Sequence, residues 1–575
     1  MYIETVPNRN SPPAILLRET TREGKRMRKR TLANLSHWPA PKIEALRSVL
    51  RDEPLVPARE AFAISRSLPH GHVEAVLETI HRLGLDSLIA SKRSRQRDLV
   101  VAMIAERLVH PCSKLATTRL WHTTTLAEEL SVGDADVDEL YEALDWLLER
   151  QEWIEAKLAR RHLAEGGQVL YDLTSTSYEG RTCPLVRFGH NRDGNDLPII
   201  VYGVLTDTAG RPVAVEVYPG NTGDPATVGD QVEKLRGRFG LERVTLVGDR
   251  GMLTRTRIAD LKAHPQLGWI SALRSHEIRK LVESGPLQLS LFDEQNLAEI
   301  SAPEEFPGER LVACYNPELA VERRRKRGEL LEATERDLGR IAAEAARRKR
   351  KPLGKDEIGL KVGRVLGRRK MAKHFCLEIG EGSFSWRRNG ESIAREEALD
   401  GIYVIRTSEP QERLSAPDAV RGYKNLSQVE RAFRTLKGID LRVRPIRHRT
   451  EEHVRAHVLL CLLAYYVEWH MRRALAPLLF DDEELAAERL RRDPVAPAQA
   501  SASAKRKKTT RQTAQGFPAH SFETLIAELA TRCRNECRMK SDAESPTFTE
   551  VTHPTPLQSR AMELLSEVSV PSSRK

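Results

Sequence analysis

Cysteine is scarce in this sequence: seven among 575 residues, at Cys112, Cys183, Cys314, Cys376, Cys461, Cys533 and Cys537. No two stand in Cys-x-x-Cys spacing, so neither a zinc ribbon nor a disulfide framework is expected, and a reducing cytosol fits best. Cys533 and Cys537, four apart on an expected helix, read as two unrelated thiols. Aromatic residues are also few, at 5%, while 30% of residues are charged, a balance that predicts much helical, solvated surface. Long apolar runs are missing. The longest, Val458–Val467, falls far short of the ~20 residues that span a bilayer and reads as a buried helix. Met1–Thr5 shows no basic start followed by an apolar core, so no secretion signal is expected. These absences exclude membrane-spanning and disulfide-stapled classes and predict a soluble, cytoplasmic protein.

Acidic charge is the minority sign. Lys+Arg number 92 against 81 Asp+Glu, a net +11 with pI near 9.3, and such an excess favours a polyanionic partner. The clustering says more than the total. Basic runs stand at Arg22–Arg30, Arg323–Arg327, Arg347–Lys351 and Lys505–Lys508. One such run is usually a solvated face or tail, but four in one chain make DNA or RNA the leading partner class.

Length alone predicts several domains. Residues 1–40 are polar and basic with scattered prolines and read as a flexible arm. Residues 41–165 are helical throughout, with one stripe at Val73, Val76, Leu77, Ile80, Leu83 and Leu88. This all-α N-terminal domain could bind DNA ends or dimerise. From Gly166 the pattern turns to strands: Val169–Leu173, Leu197–Leu205, Val213–Tyr218, Val244–Val247 and Trp269–Leu273. Helices are expected at Asp224–Arg238 and from about Thr254. The order β-β-β-α-β-α-β, continued by α, is that of a ribonuclease-H-like core, here 166–275 and 401–480. A mixed, largely helical insertion, 276–400, interrupts it. Its long charged helix, Pro317–Arg350, is a strut or a positive arm over DNA. Gly401–Arg406 is a strand and His453–Leu479 a buried helix. Residues 481–575 read as a linker and tail, flexible over Pro494–Ala514, with one helix at Phe522–Cys533.

The chemistry concentrates in Tyr423–Lys437, an expected helix with apolar residues at Val420, Tyr423, Leu426, Val429, Phe433 and Leu436. At about 100° per residue, Tyr423, Glu430 and Lys437 fall on one row, with Arg434 about 40° away. A bland account is available for Glu430: Ser427–Glu430 fits a capping box and Glu430 with Arg434 an i, i+4 pair. Asp172, in the first strand, could bond Thr174 or Ser175, and Asp249, after the fourth, could close a turn. Jointly the three acids fit another role. The first and fourth strands can be neighbours, and a helix on the same face would add Glu430. Three hard oxygen donors with little histidine nearby suit Mg²⁺ or Mn²⁺, and two such ions could serve an in-line phosphoryl displacement.

Tyr171–Thr176, Phe188–Gly194, Gly248–Met252 and Tyr423–Lys437, in that order, closely resemble DDE transposases of bacterial insertion sequences. The likeness is to the group with a Tyr-x2-Arg-x3-Glu-x6-Lys motif, in the subgroup with a long insertion. It implies that Asp172, Asp249 and Glu430 hold two catalytic metal ions. It implies that Tyr423 and Lys437 contact phosphates at the transposon end, and Arg250, Arg431 and Arg434 are further candidates for DNA contact. Leu426 stands where the motif has arginine, and Lys424, Arg431 and Arg434 are the candidates to replace that contact. The implied activity is Mg²⁺-dependent cleavage at inverted-repeat ends and joining of the freed 3′-hydroxyl to target DNA. The implied partners are double-stranded DNA and a second copy of the chain on paired ends, in a bacterial, nucleoid-associated setting. The competing expectation is a catalytically silent DNA-binding protein derived from such an enzyme.

Overall fold

The computed structural model describes residues 1–9, 11–53, 62–264, 266–540 and 546–569. They form two compact units, Met1–Leu68 with Cys533–His553, and Pro69–Arg532 with Pro554 onward.

In the smaller unit, β1 (Tyr2–Val6), β2 (Ala14–Glu23) and β3 (Arg26–Asn34) make an antiparallel sheet in the order β1-β2-β3. The basic stretch expected as a flexible arm is therefore a folded sheet. Its strands alternate charged with small or β-branched residues (Arg18, Thr20, Arg22 against Thr31, Lys29, Met27), a pattern that pairs without needing an apolar face on both sides. A fourth strand, β4 (Phe62–Pro69), interrupts what composition suggested was an all-helical block.

The larger unit is built on one eight-stranded sheet. Its strands are β5 (Gln168–Ser177), β6 (Ile199–Thr206), β7 (Pro212–Pro219), β8 (Val244–Gly248), β9 (Leu267–Ala272), β10 (Leu297–Ile300), β11 (Arg310–Tyr315) and, after a separate hairpin of β12 (Phe375–Gly380) and β13 (Ser383–Arg388), β14 (Ile402–Thr407). The spatial order is β10-β11-β14-β9-β8-β5-β6-β7. β5, β6 and β7 form an antiparallel meander, β8 and β9 run parallel to β5, and β14 and β11 continue antiparallel. All eight residues of β6 are buried, the near-continuous apolar run of a strand covered on both faces. The helix Leu426–Lys437 packs on β5 and β6, and the helix Glu451–Leu475 covers the neighbouring edge. Thr450 caps it by accepting from the His453 N–H, and it packs on β7 and on the helices Arg95–Val109 and Val137–Leu148. Among the described residues no helix is long and apolar enough to cross a membrane.

Two expectations about the rest change. The stretch 276–400 is only partly an insertion: β10 and β11 join the main sheet, because their buried apolar residues (Leu311, Val312, Ala313) need its neighbours. The remainder gathers its own core from the helix Pro317–Arg347, the helix Lys355–Arg369 and the β12–β13 hairpin. Nor is 481–575 a mere linker and tail. It carries helices at Leu485–Arg491, Ala502–Thr510, Phe522–Ala530 and Pro556–Ser566, and β15 (Cys533–Met539) with β16 (Phe548–Val551) extends β4 in the order β16-β15-β4. Cys533 and Cys537 thus lie on a strand. Lys507, in the expected flexible stretch, is buried and donates to the carbonyls of Ala476 (2.8 Å) and Asp481 (2.7 Å), which composition alone does not reveal.

Gly203 of β6 is where the sheet tolerates no side chain. It pairs with Leu173, and a Cβ there would run into the ring of Tyr171, fully buried on the same face and next in sequence to Asp172. We expect Gly203→Ala to cost about 1–3 kcal/mol through overpacking. Gly229→Ala, which points into open space, should cost nothing comparable in the same denaturant titration.

Candidate active site

The register of two strands places the first two acids. β5 and β8 pair in parallel, and their last matched residues are Tyr171 and Gly248. Asp172 and Asp249 are the next residue on each, Asp172 midway along β5 and Asp249 just past the end of β8, so they emerge side by side where the pairing of these strands, about 4.8 Å apart, stops. Asp249 is exposed and Asp172 half-buried. Burial pushes the Asp172 carboxyl up to about 7; the Leu173 N–H (2.8 Å) and Arg192 oppose this, and Asp249 and Asp224 add to it. The Leu173 N–H takes the place of the expected bond to Thr174 or Ser175.

The third element is not one helix but two, Ala416–Lys424 and Leu426–Lys437, separated at Asn425. Leu426–Lys437 has no side-chain cap, and Ser427 instead donates to the carbonyl of Lys424 (2.8 Å), so the capping box is not formed. Val429, Ala432, Phe433 and Leu436 are buried toward β5 and β6, with Phe433 edge-on to Tyr202 at 5.8 Å. The opposite side carries the row. At one end the Tyr423 hydroxyl donates to Asp249 Oδ1 (3.2 Å). At the other, Lys437 Nζ donates to the Ser175 carbonyl and to Asp193 Oδ1 (3.1 Å). Glu430 stands between these anchors, its side chain 63% exposed and 4.0 Å from Arg434. Among the described residues no three acidic, histidine or cysteine side chains are gathered closely enough to hold a metal ion. Asp172 and Asp249 stand on adjoining strands, and Glu430 faces solvent.

The remaining candidates separate clearly. Leu426 is buried, so position 426 is part of the core. Lys424 donates to the carbonyls of Val495 (3.0 Å) and Ala496 (3.1 Å), and Arg431 pairs with Asp481 (2.9 Å). Arg434, 69% exposed, and Arg250, also exposed, remain open to solvent.

Sequence reasoning missed the loop 189–195 as a set of partners, although Phe188–Gly194 was one of the stretches that stood out. Arg192 donates to the Leu173 carbonyl and to Asp224 Oδ2 (2.9 Å), which sets a cation beside Asp172. Asp193, nearly inaccessible, accepts from the Ser177 N–H (2.9 Å), Lys437 and Arg444 (2.9 Å). Burial opposes its ionisation, yet these donors hold it below the usual carboxylate range. Burial also lowers the Lys437 ammonium, with Asp193 pulling it back. An acidic residue in a glycine-rich polar loop gives no periodic signal, so only the tertiary pairing reveals it.

Residues 200–467 match the family model of the transposase DDE domain. The matched stretch takes in Asp249, Tyr423, Glu430 and Lys437 and begins after Asp172. It supports a DDE transposase, a DNA-cleaving and DNA-binding class of enzyme whose members generally use divalent metals. No curated protein matches the chain.

Two outcomes follow from these environments. Because the folded state holds a proton on Asp172 up to about pH 7 and the unfolded chain only to about 3.8, stability falls as pH rises through that window. Asp172→Asn removes this penalty and should raise metal-free stability at pH 8 by about 1–3 kcal/mol, with little effect at pH 4, as read by denaturant midpoints. Asp193→Ala leaves two cations without their buried partner and should cost about 3–5 kcal/mol. Asp193→Asn, keeping the acceptor for Ser177, should cost less.

Proposed function

We propose that the chain is a DDE transposase whose ribonuclease-H-like core cuts DNA at the inverted-repeat ends of an insertion sequence and joins the freed end to target DNA. The observation that carries this is the parallel register that sets Asp172 beside Asp249 under the Tyr423–Lys437 segment. The ribonuclease-H-like reading is supported by the order β7-β6-β5-β8-β9, an antiparallel meander followed by two parallel strands.

The donor set fits a hard cation in part. Two adjoining carboxylates, one kept protonated near neutrality by burial, are suited to Mg²⁺ or Mn²⁺, and Glu430, on the exposed side of its helix, would supply the third oxygen donor. Asp172, Asp249 and Glu430 would hold the metal. When bound, it activates water and stabilises the leaving oxygen. Tyr423 fixes the orientation of Asp249, and Arg192 beside Asp172 neutralises charge until metal and DNA arrive. Lys437 holds the helix of Glu430 against β5, and Arg434 and Arg250 meet strand phosphates. A water oxygen attacks phosphorus, the P–O3′ bond breaks, and the 3′-oxygen leaves with a proton. That 3′-hydroxyl then attacks a phosphodiester of the target strand, whose own P–O3′ bond breaks as the departing 3′-oxygen takes up the proton. No side chain bonds to DNA, and two copies of the chain are required to pair two ends.

One observation favours the second reading, a silent DNA-binding protein: among the described residues the three acids do not stand as a ready metal cage. A supercoiled donor carrying the DNA that flanks the gene separates the two. With Mg²⁺ the parent should nick at the ends, and Asp172→Asn, Asp249→Asn and Glu430→Gln should each lose ~100-fold or more, the scale on which loss of one group acting at a reacting centre is felt. End binding should persist in all three. Binding without cutting by the parent would establish the silent reading instead.

A further inference from the structure

Once the basic runs are given their partners, one remains in a form built to enter something. In Arg323–Arg327 every cation is engaged: Arg323 on the carbonyls of Leu399 and Ile402, Arg324 on Glu397, Arg325 and Lys326 on Glu322, Arg327 on Asp400. In Lys505–Lys508 Lys507 is buried, and Lys505, Arg506 and Lys508 are exposed on one short helix, Ala502–Thr510. Arg347–Lys351 retains open cations, but in the turn that follows a helix.

Arg22–Arg30 is different in shape. It is the outer half of the β2–β3 hairpin, and every residue from Thr21 to Asn34 is exposed. The strands close through Gly24–Lys25, a two-residue turn with Gly24 at φ +63°, so the ribbon is tight and keeps its register to the tip. Six basic residues meet a single acid, Glu23. Arg22 and Lys29 lie on one face, opposite Met27 and Thr20, while Arg26, Arg28 and Arg30 lie on the other, opposite Glu23, Thr21 and Glu19. Arg28 has an exposed pairing with Glu23 (3.4 Å) and Lys29 one with Glu4 (3.5 Å). Among the described residues Lys25, Arg26 and Arg30 make no ion pair. A sheet face meant only for solvent needs no such surplus: of the run's five cations in the paired strands only Arg26 and Arg30 face an acid, Glu23 and Glu19.

We propose that the β2–β3 ribbon is a DNA-reading element that lies in the major groove of a duplex. Five residue pairs at ~3.4 Å give a ribbon about 17 Å long. The major groove, ~12 Å wide and ~8.5 Å deep, admits a two-stranded ribbon, whereas the minor groove, ~6 Å wide, does not. Cations on both faces then meet the phosphates of both walls. The deep, narrow major groove of duplex RNA excludes it. This rests on the transposase reading for its partner class, and it is tested apart from cleavage.

Full-length protein in EDTA is titrated onto an end duplex of about 40 base pairs from the DNA flanking the gene, at several salt concentrations. The parent is expected to protect guanine N7 from methylation and to prefer this duplex to RNA of the same sequence. With Lys25, Arg26, Arg28 and Arg30 all changed to serine, affinity should fall at least tenfold and N7 protection disappear. The salt slope should drop by ~3–4, about 0.9 for each phosphate the ribbon no longer neutralises. Arg26→Glu alone, at an exposed position, should weaken binding in the same direction, and serine at Arg347, Lys349, Arg350 and Lys351 should leave N7 protection in place. An unchanged slope and protection in the ribbon variant, displacement of the parent by a minor-groove ligand, or equal binding of duplex RNA would overturn the proposal. A ribbon that protects N7 in a protein that never cuts would stand while the transposase reading fell; cutting with the ribbon variant's footprint unaltered would do the reverse.

Discussion

Parallel pairing of β5 with β8 is the constraint on which the site depends. Side chains alternate along a strand, so a slip of one residue between these two would turn Asp172 away from Asp249. Holding the pair together is unfavourable, because like charges on neighbouring strands repel. The sheet supplies the restraint. β5 and β6 are buried on both faces: Tyr171 and Leu173 fix the strand from beneath, and Tyr202, against Phe433, from the side of Asp172. Burial of the strand, with a smaller contribution from Asp249, leaves Asp172 holding its proton to about pH 7.

The elements that build this core were legible because their signals are local. Continuous apolar runs marked β6 and β7, and the turn around Gly210 joined them. The Asp224-Pro225 pair marked the next helix, although it opens as a 3-10 turn capped by Gly223 and ends in a wider π turn at Lys234–Arg238. The neighbourhood of Asp172 and Asp249 could be anticipated from strand order. The outward pose of Glu430 could not, because it depends on side-chain torsions and on a break at Asn425 that no residue pattern announces. β10 and β11 were hidden for a related reason: four- and six-residue strands carry too little periodicity to be separated from loop.

Charge runs were the least legible feature, because a run states how many cations there are and not what faces them. Arg327 and Asp400 meet across 73 residues of sequence and are buried together, so a helix that read equally as a strut or a positive arm is tied down at this run. Lys507 makes the same point within a segment whose composition suggested no structure at all. The N-terminal sheet shows the converse. With both faces of its outer half in solvent, β3 has no apolar period to betray it, and composition alone favoured a disordered arm.

The same accounting separates the residues along the catalytic row. A phosphate that reached Lys437 would have to displace Asp193, a carboxylate buried and shared with Arg444, and would leave the Ser175 carbonyl without its donor. That exchange strands a buried charge, which costs several kcal/mol. The hydroxyl of Tyr423 is held by one bond to an exposed aspartate, and it can be traded for another oxygen at little cost. Arg434 has a loose 4.0 Å neighbour in Glu430 and gives up almost nothing on turning to DNA. On the proposed reading the row would grade from anchor to contact: Lys437 would hold the helix, Tyr423 would mediate, and Arg434 would be the cation open to a strand phosphate. A cation that drew Glu430 toward Asp172 and Asp249 would also release Arg434 from the carboxylate it now faces. Metal uptake and phosphate binding would then reinforce each other through a single side chain.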